Sequence, residues 1–231
     1  MTDTETDADT VTDTVTDAGY DSMRARLVDY LRLHVGMEQI SEQVLQAIGN
    51  VPRHLFVRER DREFAYNDYP ISIGHGQTIS APHIVAIMCT LMDVKAGMRI
   101  LEIGAGSGYH AAVLAELTGE HGTVYSVERI PELMKFAQQN LSNAGYRNVV
   151  VTTGDGTLGL PEHAPYDRIV VACAAPAIPE PLTDQLKHGG RMTIPIGGRV
   201  QELYMIRKNE VISKEKIGAV VFVPLIGKYG F

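Results

Sequence analysis

Three closely spaced glycines constrain the fold of this chain more than any other feature does. Gly104, Gly106 and Gly108 stand between an apolar run at 98–103 and a helix-like stretch, YHAAVLAEL, that begins at Tyr109. Glycine takes positive φ angles without steric cost and lets a backbone approach a ligand closely. The N–H groups at the start of a helix have no partner within that helix. We therefore predict a strand, a tight turn and a helix that together bind a nucleotide-like cofactor.

Strand-like and helix-like segments alternate from this turn to the C-terminus. The strands are continuous runs rich in Val and Ile, which is typical of a parallel sheet covered on both faces. The predicted strands are 98–103, 123–127, 148–152, 168–173 and 191–197, the predicted helices are 109–118, 131–144 and 180–187, and 201–207 with 217–224 form a closing pair. The predicted fold class is α/β, a doubly wound and mostly parallel sheet with an antiparallel C-terminal strand pair and N-terminal helices.

The part of the chain before the first strand predicts two helices. Apolar residues at helical spacing mark 22–34 as the first helix. The second helix is 40–48, with Ser41 as its N-cap and Gly49 as its stop.

A turn-rich segment, 50–82, follows these helices and contains GHGQTISAP. It is long for a connection without structure, and such connections usually carry function. Pro82 suits the first turn of a helix that runs to about Met92.

The formal net charge of −7 is concentrated in the first 22 residues, which hold seven acidic residues and no Lys or Arg. This Thr/Asp-rich segment has little to bury, so we predict a disordered acidic tail over 1–21. One domain, 22–231, follows; it comprises an N-terminal helical and substrate-loop region, 22–97, and a cofactor-binding sheet, 98–231.

The remaining composition argues against several partners. No basic stripe points to nucleic acid, and no apolar run approaches the roughly 18 residues of a membrane span. The chain opens on Thr and Asp rather than a secretory signal, so we expect a cytoplasmic protein. No heptad or edge motif calls for a partner copy, so we expect a monomer.

Cys89 and Cys173 are predicted to be buried free thiols. The histidines lack zinc spacing, so no metal site is expected.

The spacing of the glycines distinguishes between two cofactor classes. A dinucleotide fingerprint is G-x-G-x-x-G, but here the third glycine comes one residue early and Tyr109 takes its place. Glu102 precedes the turn, and Glu128 ends the next strand, where a carboxylate can accept hydrogen bonds from both ribose hydroxyls. Asp155 and Gly156 follow the third strand, where they would meet an adenine edge. This set favours S-adenosylmethionine over NAD and makes an NAD oxidoreductase a distant alternative.

From about residue 24 onward, the chain resembles the protein-L-isoaspartate O-methyltransferases, a branch of the Rossmann-like methyltransferases. GQTISAP is the most specific motif, because general methyltransferases lack it. The matching segments are VPRHLFV (51–57), IGHGQTISAPHIVAIM (73–88), LEIGAGSGY (101–109), GDGTLGLPEHAPYD (154–167), LKHGGRMTIPIG (186–197) and VPLIG (223–227). The resemblance implies methyl transfer from S-adenosyl-L-methionine to the free α-carboxylate of L-isoaspartyl residues in damaged proteins and peptides. The ester closes to a succinimide, which initiates repair.

The resemblance also implies which residues form the site. Ser80 is expected to be the catalytic hydroxyl that orients the acceptor carboxylate, although it could instead merely cap the helix at Pro82. No general base is needed, because a carboxylate is already ionised near neutral pH. Thr78, Ser80 and His83 are the expected substrate contacts, with a packing or helix-facing role equally open for His83. Arg53 and His54 are interpreted as structural. The expected cofactor contacts are Gln77, Thr78, Ile79, Glu102, Gly104, Gly106, Gly108, Glu128, Asp155 and Gly156.

Two further functions remain open from the residues alone. The same fold could methylate another carboxylate or a small molecule, because a fold does not fix a substrate. A non-catalytic relative could bind cofactor or isoaspartyl peptide as an adaptor. An adaptor would be expected to lose a cofactor motif or to gain a recruitment domain, and this chain has every motif and only a short acidic tail beyond them.

Overall fold

The computed structural model describes residues 15–34 and 40–231, so most of the predicted acidic tail lies outside the described residues. Helix α1 spans Asp17–His34 and begins five residues before the predicted start at 22, so residues 17–21 are helical rather than part of a disordered tail. Helix α2 spans Glu42–Asn50. The Ser41 hydroxyl accepts a hydrogen bond from the Val44 N–H at 3.4 Å, which confirms the predicted N-cap, but the helix continues past Gly49.

The turn-rich segment has more structure than its composition indicates. Two short 3-10 helices, Arg53–Phe56 and Glu59–Phe64, come first. An antiparallel hairpin follows, with strand β1 at Ile71–Gly74 and strand β2 at Gln77–Ile79. Helix α3 then spans Pro82–Met92, as predicted. The hairpin therefore holds the GQTISAP motif beside the start of α3.

The rest of the chain forms the predicted alternation. The elements in order are β3 Arg99–Ile103, α4 Tyr109–Thr118, β4 Thr123–Glu128, α5 Pro131–Asn143, β5 Val149–Thr153, β6 Tyr166–Val171, α6 Glu180–Gln185, β7 Leu186–Gly197, β8 Gln201–Lys208 and β9 Ile212–Val220. Several boundaries differ from the prediction by one to five residues. The largest differences are in β7, which begins at Leu186 rather than at 191, and in β9, which spans Ile212–Val220 rather than 217–224.

The strands β3 to β9 form one seven-stranded sheet in the order β5-β4-β3-β6-β7-β8-β9. The pairs from β5 to β7 are parallel, and the pairs β7–β8 and β8–β9 are antiparallel. The predicted fold class is confirmed. The chain order reverses between β3 and β6, and in open sheets of this kind ligands bind at that switch point, beyond the carboxyl ends of the strands. The glycine turn follows β3 directly and therefore lies at this point.

The sheet is buried on both faces, which explains why its strands read as continuous apolar runs. Ile100 belongs to the larger core, which packs against the helices before β3 and against α4, and Leu101 belongs to the core on the opposite face. Both side chains are fully buried. Each such side chain contributes about 1.5–3 kcal/mol on leaving water. This two-sided core holds the strand ends, and the turns that follow them, in fixed positions.

Candidate functional site

A cleft opens at the carboxyl ends of the central parallel strands. About 900 Å³ of space lies between its walls, part of which is the solvent-filled mouth. Its walls come from the β2 strand and the residues after it, from the turns after β3, β4 and β6, and from a C-terminal segment. Eight of the predicted site residues line it: Gln77, Thr78, Ile79, Ser80, Gly104, Gly106, Glu128 and Gly156.

The glycine turn forms one side of the cleft with its backbone. Gly104 has a φ of +92° and Gly106 a φ of +55°, which disfavour any other residue type. A Cβ atom on Gly106 would lie 3.4 Å from Ile73 Cδ1, so the turn packs closely against the β1–β2 hairpin. Both glycines line the cleft, and the cofactor contacts expected for them remain a prediction.

Gly108 does not line this cleft. It caps the N-terminus of α4 with a φ of +88°. A Cβ atom there would approach Leu141 Cγ to 3.1 Å and the Ala137 carbonyl oxygen to 3.2 Å. The third glycine therefore lets α4 pack against α5. The cofactor contact expected for Gly108 gains no support from the cleft lining, because Gly108 lies at the packing contact between the two helices.

Glu128 ties the turn after β4 to the glycine turn. Its Oε2 accepts a hydrogen bond from the Gly106 N–H at 2.9 Å, and its Oε1 accepts one from the Ile130 N–H at 3.0 Å. The side chain is 7% exposed and faces the cleft. A carboxylate can accept about four hydrogen bonds. Each oxygen can therefore accept one more, which fits two adjacent ribose hydroxyls.

Glu102, in contrast, is buried beneath the cleft and does not line it. The Ser126 hydroxyl donates a hydrogen bond to its Oε2, and its Oε1 has no partner among the described residues. Burial raises the pKa of this carboxyl to about 8. Because strand residues alternate between faces, the side chain at this position points into the core under α3 and α4. Glu102 therefore lies outside the cleft wall, and the contact with the cofactor expected for it gains no support from the lining.

Asp155 is also occupied within the protein. Its Oδ1 accepts hydrogen bonds from the N–H of Thr157 at 2.9 Å and from the Thr157 hydroxyl at 2.7 Å. Its Oδ2 accepts the Lys228 N–H at 2.9 Å. Burial alone would raise the pKa of Asp155, but these hydrogen bonds outweigh it and hold the pKa below its ordinary value. Asp155 therefore fastens the C-terminal segment, and only its neighbour Gly156 lines the cleft.

The C-terminal segment 223–226 forms a wall that the sequence analysis did not assign to the site. Leu225 donates its N–H to the Ala174 carbonyl oxygen at 2.8 Å, which docks the segment on the turn after β6. The motif VPLIG was noticed in the sequence, but its place in the cleft depends on contacts distant in the chain. Other wall residues missed by the sequence analysis include Ser107, Tyr109, His110, Arg129, Ile130 and Cys173.

Ser80 lies where the cleft meets a second groove. Its carbonyl oxygen accepts a hydrogen bond from Arg53 Nη2 at 2.8 Å, while its hydroxyl has no hydrogen bond with the described residues. The expected alternative, that Ser80 caps α3, is not what the structure has. The N-cap residue is Ala81, and the Asp68 carboxylate accepts the His83 N–H at 2.9 Å instead. The Ser80 hydroxyl is therefore available to a ligand.

His83 lies in the groove rather than in the cleft. Its Nδ1 is 2.9 Å and 3.0 Å from the two carboxylate oxygens of Asp68. Burial alone would raise the pKa of Asp68, but the hydrogen bonds from His83 outweigh it and hold the pKa below its ordinary value. The sequence analysis missed Asp68, because only the fold brings it to α3.

Arg53 is structural, as interpreted, but it acts at the site. It is fully buried, and its Nε donates to the Ala65 carbonyl oxygen at 2.7 Å. Its guanidinium lies 4.5 Å from the centre of the Tyr109 ring. His54 is farther from the ligand surfaces and contacts the Tyr66 hydroxyl through Nδ1 at 2.7 Å. Arg53 therefore connects the chain before the hairpin to the backbone of Ser80.

The two thiols are buried and free, as predicted. Cys173 lines the cleft, and burial raises its pKa, which keeps it an uncharged thiol. Cys89 Sγ lies 3.4 Å from Nε2 of His110, whose pKa burial lowers to about 4. Within residues 15–34 and 40–231, no cluster of His, Cys, Asp and Glu could hold a metal ion. Over the same residues, no helix is long and apolar enough to span a membrane.

Known proteins with similar sequences and structures share one family description. The family model for protein-L-isoaspartate(D-aspartate) O-methyltransferase matches residues 22–230. The protein-L-isoaspartate O-methyltransferase of Methanothrix thermoacetophila is 58% identical over 208 residues, which cover 90% of this chain and 97% of that protein. Protein-L-isoaspartate O-methyltransferase 1 of Archaeoglobus fulgidus is 57% identical over 212 residues, covering 92% of this chain and 97% of that protein.

Solved structures agree with the sequence relatives. A protein-L-isoaspartate O-methyltransferase structure superposes with a TM-score of 0.83 and 31% identity, covering 90% of this chain and 67% of that one. A Plasmodium falciparum protein assigned to the same activity, solved in complex with S-adenosyl-L-homocysteine, has a TM-score of 0.77 and 28% identity. That match covers 90% of this chain and 98% of the other.

Proposed function

The chain belongs to the protein-L-isoaspartate O-methyltransferase family, and from that membership we propose how its own residues carry out the reaction. It is an S-adenosylmethionine-dependent protein carboxyl methyltransferase. It acts on the free α-carboxylate of L-isoaspartyl residues in damaged proteins, and the ester initiates repair through a succinimide. The alternatives open at the sequence level, another small acceptor or an adaptor role, gain no support from these relatives.

The cleft fits S-adenosylmethionine, which supplies an electrophilic methyl group when it is bound. Glu128 has one unused acceptor position on each oxygen, a suitable arrangement for the two ribose hydroxyls. The Gly104–Gly106 backbone offers close approach without side chains, and Gly156 provides a second surface without a side chain. Gln77, Thr78 and Ile79 of strand β2 also line the cleft. We assign these residues to cofactor binding.

Ser80 is the residue that we propose to orient the acceptor carboxylate. Its hydroxyl stands at the junction of cleft and groove, without a hydrogen bond to the described residues, while Arg53 holds its carbonyl oxygen. A neutral hydroxyl can orient a carboxylate without the charge neutralisation that a salt bridge would impose on this nucleophile. The carboxylate needs no general base, because its pKa lies far below 7. The uncharged His110 and Cys173 nearby are consistent with a site that moves no proton.

The direct test uses labelled S-adenosylmethionine and two peptides that differ only in having an L-isoaspartyl residue or a normal Asp at one position. Base-labile methyl esters are counted for each peptide. We expect label on the isoaspartyl peptide alone. Label on both peptides, or on neither while the cofactor still binds, would contradict the proposed substrate class.

We further propose that residues 22–231 act as one domain, as a monomer in the cytoplasm, without nucleic acid or membrane as a partner. Two buried free thiols suit a reducing compartment. Light scattering coupled to size exclusion, with and without S-adenosylhomocysteine, tests the monomer. A mass near twice 25.3 kDa would contradict it.

A further inference from the structure

Tyr109 is the residue at which the glycine turn meets the chain segments that hold Ser80. It is the first residue of α4, directly after Gly108, and it lines the cleft. The side chain is fully buried, and the Phe56 ring packs against it in a T-shaped arrangement with ring centres 5.8 Å apart. The Tyr109 hydroxyl has no hydrogen bond with the described residues. Its contacts with the protein are therefore those of an aromatic ring.

The Arg53 guanidinium lies over this ring, with its central carbon 4.5 Å from the ring centre. Arg53 is fully buried and makes no ion pair within the described part of the chain. A buried charge is costly unless other groups replace the lost water. The carbonyl oxygens of Ala65 and Ser80 accept hydrogen bonds from Nε and Nη2, while Nη1 has no partner among the described residues. The Tyr109 ring is therefore a further group that stabilises the cation, and such a cation–π contact is strongest where water is excluded.

We propose that Tyr109 is a positioning residue for methyl transfer and that it acts on Ser80 through Arg53. The ring holds the guanidinium in place, and the guanidinium holds the carbonyl oxygen of Ser80, whose hydroxyl orients the acceptor carboxylate. Because Tyr109 directly follows the glycine turn, it ties the cofactor side of the cleft to the acceptor side. Small displacements of the hydroxyl matter, since the reacting atoms must be aligned at contact distance. This inference rests on the proposed function and adds a residue that the expected contacts do not include.

A double-mutant cycle with Ser80 distinguishes this role from a contribution to folding alone. The kcat for an isoaspartyl peptide is measured with both substrates saturating for wild type, Tyr109→Leu, Ser80→Ala and the double variant. We expect Tyr109→Leu to lower kcat about fivefold in the wild-type background, the factor that corresponds to one cation–π contact. In the Ser80→Ala background the same change should lower kcat by less than about twofold, because the hydroxyl that it positions is missing.

The matched control is Tyr166→Leu. Tyr166 is as deeply buried as Tyr109, belongs to the core on the opposite face of the sheet and lies outside cleft and groove. Its loss should lower the stability to urea in the same way as the loss of Tyr109, while kcat stays at the wild-type value. The affinity for S-adenosylhomocysteine is measured for every variant by calorimetry, so that an effect on cofactor binding is separated from the effect on kcat.

A second series keeps the ring and changes its electron density. Tyr109→Phe removes only the unpartnered hydroxyl, so kcat should stay within about twofold of wild type. Fluorinated phenylalanines at position 109 then withdraw electrons from the ring face in steps with little change in volume, which weakens the attraction for a guanidinium. We expect kcat to fall with each added fluorine, toward the value for Tyr109→Leu. This series tests the proposal even if Tyr109→Leu fails to fold.

Two results would overturn the inference. One is a constant kcat across the fluorinated series. The other is an equal loss of kcat from Tyr109→Leu with and without the Ser80 hydroxyl. In both cases a wild type that methylates the isoaspartyl peptide leaves the proposed function intact. A wild-type kcat in Ser80→Ala removes the role of Ser80 and this inference with it, and a wild type that fails to methylate the peptide overturns the proposed function as well.

Discussion

The buried guanidinium of Arg53 donates a hydrogen bond of 2.8 Å to the carbonyl oxygen of Ser80, the residue whose hydroxyl we propose to orient the acceptor. The same guanidinium donates to the Ala65 carbonyl oxygen at 2.7 Å. Two backbone segments that are distant from each other in the sequence are therefore held by one planar group. Arginine suits this task because its donors form a fixed fork, which a lysine lacks.

Arg53→Lys should separate the positioning of Ser80 from the stability of the fold. Lysine can reach one carbonyl oxygen but not both in the same geometry, so we expect kcat to fall about tenfold with cofactor affinity unchanged. We also expect the free energy of unfolding to fall by about 2 kcal/mol, because one buried carbonyl loses its partner. Steady-state kinetics and urea unfolding measure the two effects. A destabilised variant with the wild-type kcat would show that Arg53 has a structural role only.

Ser80→Ala tests the acceptor-orienting hydroxyl. A hydrogen bond to a charged group is worth about 1.5–3 kcal/mol, so we expect kcat to fall by roughly tenfold to a hundredfold. The affinity for S-adenosylhomocysteine, measured by calorimetry, should change little. Ser72→Ala in the same hairpin is the matched control, because Ser72 is exposed and lies outside cleft and groove. Wild-type turnover in Ser80→Ala would refute the role.

Glu128→Ala should weaken cofactor binding by two routes. It removes the proposed acceptor for the ribose hydroxyls, and it releases the Gly106 and Ile130 N–H groups. We expect the dissociation constant for S-adenosylhomocysteine to rise by about tenfold to a hundredfold, from the loss of charged hydrogen bonds. The dissociation constant of Glu128→Gln should lie between those of wild type and Glu128→Ala. The exposed Glu120→Ala serves as the control. A calorimetric titration of Glu128→Ala that matches wild type would exclude the ribose assignment.

Gly108→Ala should destabilise the protein without changing the cleft. The alanine would have to adopt a φ of +88° and would press its Cβ atom against Leu141 and the Ala137 carbonyl oxygen. Gly119→Ala is the comparison, because Gly119 has a φ of +68° with open space around its Cβ position. We expect about 1 kcal/mol of destabilisation from the backbone conformation in Gly119→Ala, and more in Gly108→Ala. Thermal unfolding measures both. A large loss of cofactor affinity in a folded Gly108→Ala variant would instead support a direct contact between Gly108 and the cofactor.

Glu102 gives the stability of the fold a defined pH dependence. Its pKa is about 8 in the folded protein and near 4.5 in the unfolded chain, so the folded state binds this proton more tightly. The resulting stabilisation is complete below pH 4.5 and is lost as the pH rises through 8, with a slope of at most about 1.4 kcal/mol per pH unit.

Glu102→Gln should lack this component, because the amide stays uncharged and can still accept the hydrogen bond from Ser126. Relative to wild type, the variant should therefore gain stability between pH 5 and 8, roughly the interval of the expected titration. Chemical unfolding at several pH values measures the difference, and the exposed Glu132→Gln is the control. Parallel pH curves for wild type and Glu102→Gln would mean that Glu102 is ionised in the folded protein.

The position of a residue at a strand end was a good guide to the cleft but not to individual contacts. Glu128, Gly104, Gly106 and Gly156 lie in its wall, as their places after the strands predicted. Glu102 precedes the turn by only two residues, yet its side chain is fully buried and accepts a hydrogen bond from Ser126 on the neighbouring strand. Being near the turn in sequence therefore does not place a side chain in the wall of the cleft.

The sequence by itself determined the α/β fold class, the glycine turn, the cofactor class and the hairpin motif that carries Ser80. These features depend on local periodicity and on short motifs, and both are found within short continuous stretches of the sequence. Only the tertiary structure decided that Asp68 caps α3 and leaves the Ser80 hydroxyl unoccupied, and that Arg53 holds the Ser80 carbonyl oxygen. These two hydrogen bonds link residues that are 15 and 27 positions apart in the sequence. The packing of the hairpin against the helices brings their groups within hydrogen-bond distance.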